Sequence, residues 1–304
     1  MTTSRPWPIP EPPADGLLVH HVSDTHFGYR SWSYGEGDHM QRDLQHGLIP
    51  PVDLFVHTGD LIDGTYNANV GVTIAGEDAY AIPWLTSAAK GAPSLWAVGN
   101  HDLRDRAPSY SRTAWEAAYG RPGNTFVDVK GWRFVTFCVD SHQGTGAAWV
   151  VPDATWDWVD SVCASAPGPV VLAEHYPPWE LTTSTANYLE PPGKLDALVA
   201  AYPNIVGILC GHMHIDLDSA DMTQLLPIGG RTLPVICDIS SMLSLNGESR
   251  DQSAQIQSTS VYVSMTEGAW QVHYRRHGTR AWGGPGGLRV TTMDLATGTI
   301  THSM

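Results

Sequence analysis

The sequence predicts an α/β fold in which two mixed sheets pack together between outer helices, giving a four-layer α/β/β/α sandwich. Three patterns support this prediction. Apolar segments of strand length alternate with helical segments from residue 17 to residue 210, a strand–turn–strand pattern spans residues 125–140, and the chain becomes rich in strand-like segments after residue 217. Strands separated by helices favour a parallel or mixed sheet with crossovers, and the later strands provide a second sheet.

The first two-thirds of the chain repeat one plan, in which an apolar strand leads into a polar cluster and then into a helix or loop. The predicted strands are LLVHHV (17–22), VDLFVHT (52–58), SLWAV (94–98), VVLA (170–173) and IVGILC (205–210). The predicted helices span residues 77–90, 112–119, 153–166 and 194–202. Each strand therefore ends at a group of polar residues.

The rest of the predicted elements are strands and loops. Residues 125–140 form a hairpin that turns at Lys130 and Gly131. Later strands are predicted in TLPVICDIS, TSVYVSM, GAWQVHYRR and LRVTTMDLATGTITHS, with polar or glycine-rich loops at 244–260 and 283–287. We find no internal boundary or repeat, so residues 17–304 are predicted to form a single domain behind a proline-rich extended arm, residues 1–16.

The composition is that of an ordinary globular protein, with 42% hydrophobic and 16% charged residues among 304. Four cysteines occur singly, which favours buried thiols in a reducing compartment over a disulfide framework. We find neither a signal peptide nor an apolar segment of membrane-spanning length. These features predict a cytoplasmic protein with no membrane partner, and they leave homo-oligomer formation open.

The net charge of −14 bears on the class of partner. An acidic surface repels the phosphate backbone of nucleic acid, so a broad nucleic-acid interface is disfavoured. Divalent ions would reverse this charge locally wherever they bind.

Five polar clusters follow apolar segments: SDTH (23–26), GDLID (59–63), GNHD (99–102), EHYPP (174–178) and GHMH (211–214). Ligands bind beyond the carboxyl ends of strands in open α/β sheets, so these are candidate site residues. Each cluster alone is a weak signal: His212 and His214 could be core histidines, half of a structural zinc site, or part of an active centre. Together the clusters offer carboxylates, imidazoles and one carboxamide without thiolates, which suits Mn, Fe or Zn in a hydrolytic site and argues against structural zinc.

The ordered series Asp24-x-His26, Gly59-Asp60, Gly99-Asn100-His101-Asp102, His175 and Gly211-His212-x-His214 resembles the calcineurin-like metallophosphoesterase superfamily. This resemblance covers roughly two-thirds of the chain. Within the superfamily, VDS (139–141), WDWV (156–159), VVLAEHYPPW (170–179) and ILCGHMH are most similar to class III cyclic nucleotide phosphodiesterases. Relatives often have His-His-Pro-Pro where this chain has a tyrosine at position 176, so a contact to the substrate or behind the ligands is expected to differ.

The resemblance implies a centre of two divalent ions with Asp60 as the bridging carboxylate. One ion would be held by Asp24, His26, Asp60 and His214, and the other by Asp60, Asn100, His175 and His212. Two ions about 3.5–4 Å apart activate a bridging hydroxide for in-line attack on phosphorus. His101 would protonate the leaving alkoxide or stabilise the transition state, with Asp102 as its orienting partner.

Four other residues near the clusters are predicted to have structural roles and not to bind metal. His20, His21 and His57 lie within strands, so we expect them to be buried and hydrogen-bonded and not to bind metal. Asp63 is expected to lie behind the ligands or in a turn. Purple acid phosphatases have a metal-binding tyrosine at that position, so an aspartate argues against that branch of the superfamily.

The function predicted from these residues is hydrolysis of small phosphodiesters, with cyclic nucleotides favoured. Three alternatives share the fold. A nuclease is indicated by DTHFG, GDL and GNHD but disfavoured by the acidic charge. A phosphomonoesterase or phosphoprotein phosphatase would use the same metal ligands with different loops. A non-catalytic scaffold is disfavoured because all the expected ligand positions are filled.

Overall fold

The structure is a computed structural model that describes residues 11–27, 40, 45, 47, 50–64, 73–103, 111–139, 149–181, 189–190, 192–214, 222–237, 259–276, 281–282 and 290–303. All the predicted site residues lie within these ranges. Residues 1–10 of the predicted arm, residues 244–258 of one predicted loop and the whole glycine-rich segment 283–287 lie outside them.

The described residues form sixteen strands. In chain order they are β1 (Leu17–Val22), β2 (Leu54–His57), β3 (Ser94–Trp96), β4 (Thr125–Val129), β5 (Trp132–Thr136), β6 (Trp149–Val150), β7 (Val170–Ala173), β8 (Leu189–Glu190), β9 (Ile205–Cys210), β10 (Thr223–Ile228), β11 (Arg231–Cys237), β12 (Thr259–Met265), β13 (Ala269–Arg276), β14 (Ala281–Trp282), β15 (Val290–Asp294) and β16 (Thr299–Ser303).

These strands make two large mixed sheets. The first has the order β16-β15-β13-β12-β1-β2-β3, with β14 paired to β13. Its strands β1, β2 and β3 are parallel, and its other pairs are antiparallel. The second sheet has the order β10-β11-β9-β7-β5-β4, in which β5, β7, β9 and β11 are parallel. A separate parallel pair joins β6 and β8.

Helices complete the outer layers. They span Ile74–Ala88, Asn100–Leu103, Arg112–Tyr119, Asp153–Ala164 and Pro192–Ala201, with a 3₁₀ turn at Trp179–Leu181. Successive side chains of a strand point to opposite faces, and β1 shows this directly. Leu17 and Val19 pack in a cluster of residues from both sheets, whereas Leu18 and Val22 pack in a cluster that includes helical residues such as Trp84. The α/β/β/α prediction is confirmed.

Most predicted elements match the structure closely. The strands at 17–22, 170–173 and 205–210 and the helix at 112–119 have the predicted limits, and the hairpin turns at Lys130 and Gly131. The first long helix begins earlier than predicted because Thr73 caps it, with its hydroxyl accepting a hydrogen bond from the Gly76 amide at 3.2 Å.

Two other expectations concern the chain as a whole. Among the described residues, every helix is too short or too polar to span a bilayer. All four cysteines are buried free thiols. The division into an arm and a single domain stays a prediction, as does the cytoplasmic location.

Candidate metal centre

The predicted ligands converge where the carboxyl ends of the two sheets meet. Asp24, Asp60 and Asn100 follow the parallel strands β1, β2 and β3 of one sheet, while His175 and His212 follow β7 and β9 of the other. Parallel strands end at the same edge of a sheet, so each sheet presents its polar residues in one row. The packing of the sheets brings these two rows into contact.

The backbone is strained at these positions. Five of the seven described non-glycine residues with positive φ are predicted ligands, namely Asp24, His26, Asp60, His212 and His214, with φ between 43° and 69°. Such conformations cost energy in most residues and cluster at functional sites. The loops therefore hold these side chains in orientations that a relaxed strand end would not give.

Two glycines allow the loops to approach each other. A Cβ atom at Gly99 would collide with Asp60, and one at Gly211 would collide with Ser23 and Asp24. Any side chain at either position would push a predicted ligand away from its neighbours.

We call the group formed by Asp24, His26 and His214 with Asp60 the Asp24 half of the centre. Nε2 of His26 and Nε2 of His214 lie 3.0 Å apart. Oδ1 of Asp24 lies 3.0 Å from Nε2 of His214 and 3.7 Å from Nε2 of His26. Its other oxygen, Oδ2, accepts hydrogen bonds from the Ser23 hydroxyl at 2.5 Å and the His212 amide at 3.0 Å. These two donors turn Oδ1 toward the imidazoles.

We call the group formed by Asn100, His175 and His212 with Asp60 the Asn100 half. Nδ1 of His175 donates to the Thr58 carbonyl at 2.8 Å, which leaves Nε2 with a lone pair in the neutral ring. This Nε2 lies 3.0 Å from Oδ1 of Asn100 and 3.2 Å from Nδ1 of His212. An acceptor oxygen and two ring nitrogens thus meet at one point.

Asp60 lies between the two halves. Its Oδ1 accepts a hydrogen bond from the His101 amide at 2.8 Å. Its Oδ2 lies 3.6 Å from Nε2 of His26 and 3.3 Å from Nε2 of His175, one histidine from each half. A single oxygen of Asp60 thus faces one histidine of each half.

The carboxylates of the centre are ionised, and at least two of its imidazoles are neutral. Burial alone would raise the pKa of Asp24 and Asp60, but the neighbouring histidines hold both values well below the usual range. Burial lowers the pKa of His26 to about 4 and that of His212 to about 3, so both rings are neutral near pH 7. Burial also opposes protonation of His175, but the Asp60 and Asp24 charges raise its pKa to about 10. The two carboxylates therefore favour positive charge at this point of the centre.

These donors fit two metal ions. The ligand atoms of Asp24, His26, Asp60 and His214 lie within 4.8 Å of one another, as do those of Asp60, His175 and His212. Ionised carboxylates and neutral imidazoles are the ligands that Mn, Fe and Zn accept in proteins. Asn100 adds an amide oxygen to the second group.

His101 lies beside this centre, at the start of the helix Asn100–Leu103. Its ring meets the His26 ring edge-on, with centroids 4.6 Å apart. Its side chain is 21% exposed, whereas that of His175 is fully buried. Nδ1 of His101 lies 2.6 Å from the Asp63 carbonyl oxygen and 3.7 Å from the Asp63 carboxylate. Asp63 therefore orients the ring and turns Nε2 away from this carbonyl.

The expectation that Asp102 orients His101 is wrong. The Asp102 carboxylate accepts hydrogen bonds from the amides of Gly99 at 2.8 Å, Leu61 at 2.9 Å and Ile62 at 3.3 Å. Consecutive residues of a helix do not face each other, so Asp102 points into the backbone of the loops. It holds together the two loops that carry Asp60 and Asn100.

His21 and His57 have the buried, hydrogen-bonded roles expected of histidines within the strands. Nε2 of His21 lies 2.9 Å from the Thr58 hydroxyl, and Nε2 of His57 lies 3.2 Å from the Thr25 hydroxyl. Burial lowers the pKa of both rings to about 3, so they are neutral. His20 stacks on Tyr262, outside the centre. Sequence reasoning missed the supports of the ligands, which include the Ser23 hydroxyl and the Thr58 carbonyl.

Two mixed sheets with buried carboxylates and imidazoles at their meeting edges define a class of metal-dependent hydrolases. A family model for calcineurin-like phosphoesterases matches residues 17–216, and the chain belongs to that family. The family uses a binuclear metal centre, and the chain is a metal-dependent hydrolase of phosphoric esters.

Known proteins support this assignment. The chain is 30% identical to a Rhodococcus erythropolis protein described as a "probable cyclic nucleotide phosphodiesterase", over 67% of each chain. It is 26% identical to the glycerophosphodiester phosphodiesterase GpdQ of Enterobacter lignolyticus, over 72% of this chain and 77% of that one. A dimetal phosphatase from Danio rerio has a similar fold, with a TM-score of 0.60 and 10% identity over 92% of this chain and 99% of that chain.

Proposed function

We propose that this protein hydrolyses small phosphodiesters, with cyclic nucleotides as the favoured substrates. The observation that supports it best is the position of Asp60 Oδ2, which faces one histidine of each half of the centre. In this proposal, the Asp24 half would hold one divalent ion and the Asn100 half another, with Asp60 belonging to both halves. Mn, Fe and Zn all suit these ligands.

Each part of the chain has a defined task in this reaction. Bound divalent ions supply Lewis acidity and an activated water for in-line attack on phosphorus. Asp24 and Asp60 would hold the ions and lower the positive charge of the site. His101 donates a proton from Nε2 to the leaving alkoxide, because Asp63 holds Nδ1 and the ring is partly exposed beside the centre.

The substrate class comes from the relatives and from charge. The Rhodococcus relative is described as a cyclic nucleotide phosphodiesterase, which supports a cyclic phosphodiester as substrate. The relative GpdQ acts on a glycerophosphodiester, and this supports a second candidate of similar size. The net charge of −14 disfavours nucleic acid because long polyanions are repelled by an acidic surface.

A substrate panel tests the proposal. The full chain is loaded with Mn²⁺ and incubated separately with cyclic AMP, cyclic GMP, glycerophosphocholine, a bis(p-nitrophenyl) phosphodiester, a phosphomonoester and single-stranded DNA. We expect the highest kcat/KM with a cyclic nucleotide and no turnover after chelation. A preference for glycerophosphocholine would select the second candidate, and faster degradation of DNA would indicate a nuclease. No turnover of any substrate by protein that binds two ions would favour the scaffold.

A further inference from the structure

We infer that Tyr176 is a positioning residue of the metal centre, which holds the His212 ring in the plane that its ion requires. The inference rests on the proposed function, because it assigns an ion to the Asn100 half. It concerns a position where the sequence leaves two options, a contact to the substrate or a place behind the ligands.

Two aromatic contacts of Tyr176 lie on the Asn100 half. Its ring stacks on His212, with centroids 4.0 Å apart and an interplanar angle of 29°. Its ring meets His175 edge-on, with centroids 5.3 Å apart and an angle of 82°. The two histidine rings are themselves 5.0 Å apart at 72°. One tyrosine thus contacts both imidazoles of this half.

Burial places Tyr176 behind the histidines. The residue is only 4% exposed, so its ring has little surface to offer a substrate. His212 is carried by a backbone with φ of 69°, in a loop that turns sharply after Gly211. The torsion that rotates a histidine ring has a broad preference, so the loop alone does not set the plane of the ring. The face of the Tyr176 ring packs against the His212 ring and sets that plane.

The two histidines of this half are therefore oriented by different means. The Thr58 carbonyl holds His175 through a hydrogen bond to Nδ1. The Tyr176 ring holds His212 through its face, and this places Nδ1 of His212 3.2 Å from Nε2 of His175. Groups that orient metal ligands typically contribute about 10- to 100-fold in metal affinity.

The experiment measures Mn²⁺ affinity in two single-ion backgrounds, by titration calorimetry and by the paramagnetic resonance of free Mn²⁺. His214→Ala leaves the Asn100 half complete, and His212→Ala leaves all four ligands of the Asp24 half in place. We expect Tyr176→Leu to weaken binding about tenfold in the His214→Ala background and to leave it unchanged in the His212→Ala background. Tyr176→Phe keeps the ring and is expected to retain the affinity in both.

A matched control is Tyr262→Leu, since Tyr262 stacks on buried His20 with centroids 4.4 Å apart, away from the centre. It is expected to leave Mn²⁺ affinity unchanged. If circular dichroism shows that Tyr176→Leu does not fold, Tyr176→Met replaces it, because methionine fills the space without a ring.

Three results would overturn the inference: unchanged affinity with leucine or methionine in the His214→Ala background, an equal loss in both backgrounds, or a phenylalanine variant as weak as leucine. Failure of the unsubstituted chain to bind two ions would instead overturn the proposed function, and the inference with it. The two failures are thus distinguishable.

Discussion

The two halves of the metal centre share Asp60 but differ in charge and in the support of their histidines. The Asp24 half has a second carboxylate, and Nδ1 of His26 and of His214 has no hydrogen-bond partner among the described residues. The Asn100 half has a neutral amide in place of that carboxylate, and its histidines are held by a carbonyl and by a ring face. Charge would hold an ion in the first half, whereas oriented donors would hold it in the second. We therefore expect substitutions in the two halves to have different effects on metal binding.

The largest effect is expected from Asp60→Asn, because Asp60 is the residue common to both halves. The substitution removes the negative charge that faces His26 and His175. Even groups that only orient a ligand are worth about 10- to 100-fold in affinity, so we expect a loss of more than about 100-fold for both ions. Metal analysis after gel filtration measures this. Asp78→Asn, at a buried aspartate of the helix Ile74–Ala88, is the control. Retention of one tightly bound ion would show that the halves are independent.

The grouping of the candidate ligands could be predicted from the sequence because they follow strands, whereas their assignment to two ions came from the family resemblance. Asp24, Asp60 and His175 each follow an apolar strand, and parallel strands place such residues at one edge. The residues that orient them carry no comparable signal. The support of His175 is a backbone carbonyl, which any residue at position 58 supplies. The contact that orients His101 comes from Asp63 and not from Asp102, and the order of residues along the chain does not indicate this.

The strands of the fold also differ in how well the sequence predicts them. Strands with continuous apolar segments, such as β7 and β9, were predicted to the residue. Strand β10, whose sequence TQLLPI contains Pro227, is not among the predicted strands. Proline lacks the amide that pairs strands and is tolerated at sheet edges, where β10 lies. The hydrophobic pattern of one segment does not show whether that segment will form an edge.

The second prediction concerns His101, whose ring lies against His26 of the Asp24 half. We expect His101→Gln to lower kcat for the preferred substrate by roughly 10²–10⁴-fold, because it removes the proton donor to the leaving alkoxide. The kcat for a bis(p-nitrophenyl) phosphodiester should fall less, because its leaving group departs without a proton. Metal content should stay at two ions.

His273→Gln alters a histidine of β13 outside the centre and is expected to keep the original kcat. An equal loss with both kinds of leaving group would contradict the role of His101 as an acid.

The third prediction separates the halves directly. His212→Ala and His214→Ala remove neighbouring residues of one loop, yet their rings lie in different halves. We expect each variant to keep one ion and to lose affinity for the other by more than about 100-fold, since each loses a ligand and not only an orienting group. Anomalous diffraction from Mn²⁺-soaked crystals would locate the remaining ion. Loss of both ions from each variant would mean that the loop acts as one unit.

The smallest effect is expected from Ser23→Ala. The Ser23 hydroxyl donates to Oδ2 of Asp24 at 2.5 Å, and the His212 amide donates to the same oxygen at 3.0 Å. The variant removes one of these two supports and leaves the charge of Asp24 in place. Because charge dominates in this half, we expect a loss of about tenfold or less in Mn²⁺ affinity, the lower end of the range for orienting groups.

The measurement uses the same single-ion backgrounds. Ser23→Ala should weaken Mn²⁺ binding in the His212→Ala background, where the His212 amide is retained, and should have no effect in the His214→Ala background. Ser161→Ala, at an exposed serine that donates to the Trp158 carbonyl, controls for the loss of a hydroxyl. A loss of Mn²⁺ affinity in Ser23→Ala that exceeds the loss in Tyr176→Leu would contradict the expected difference between the two halves. The Asp24 half would then depend on orientation more strongly than the Asn100 half, and its extra carboxylate would contribute less than its charge implies.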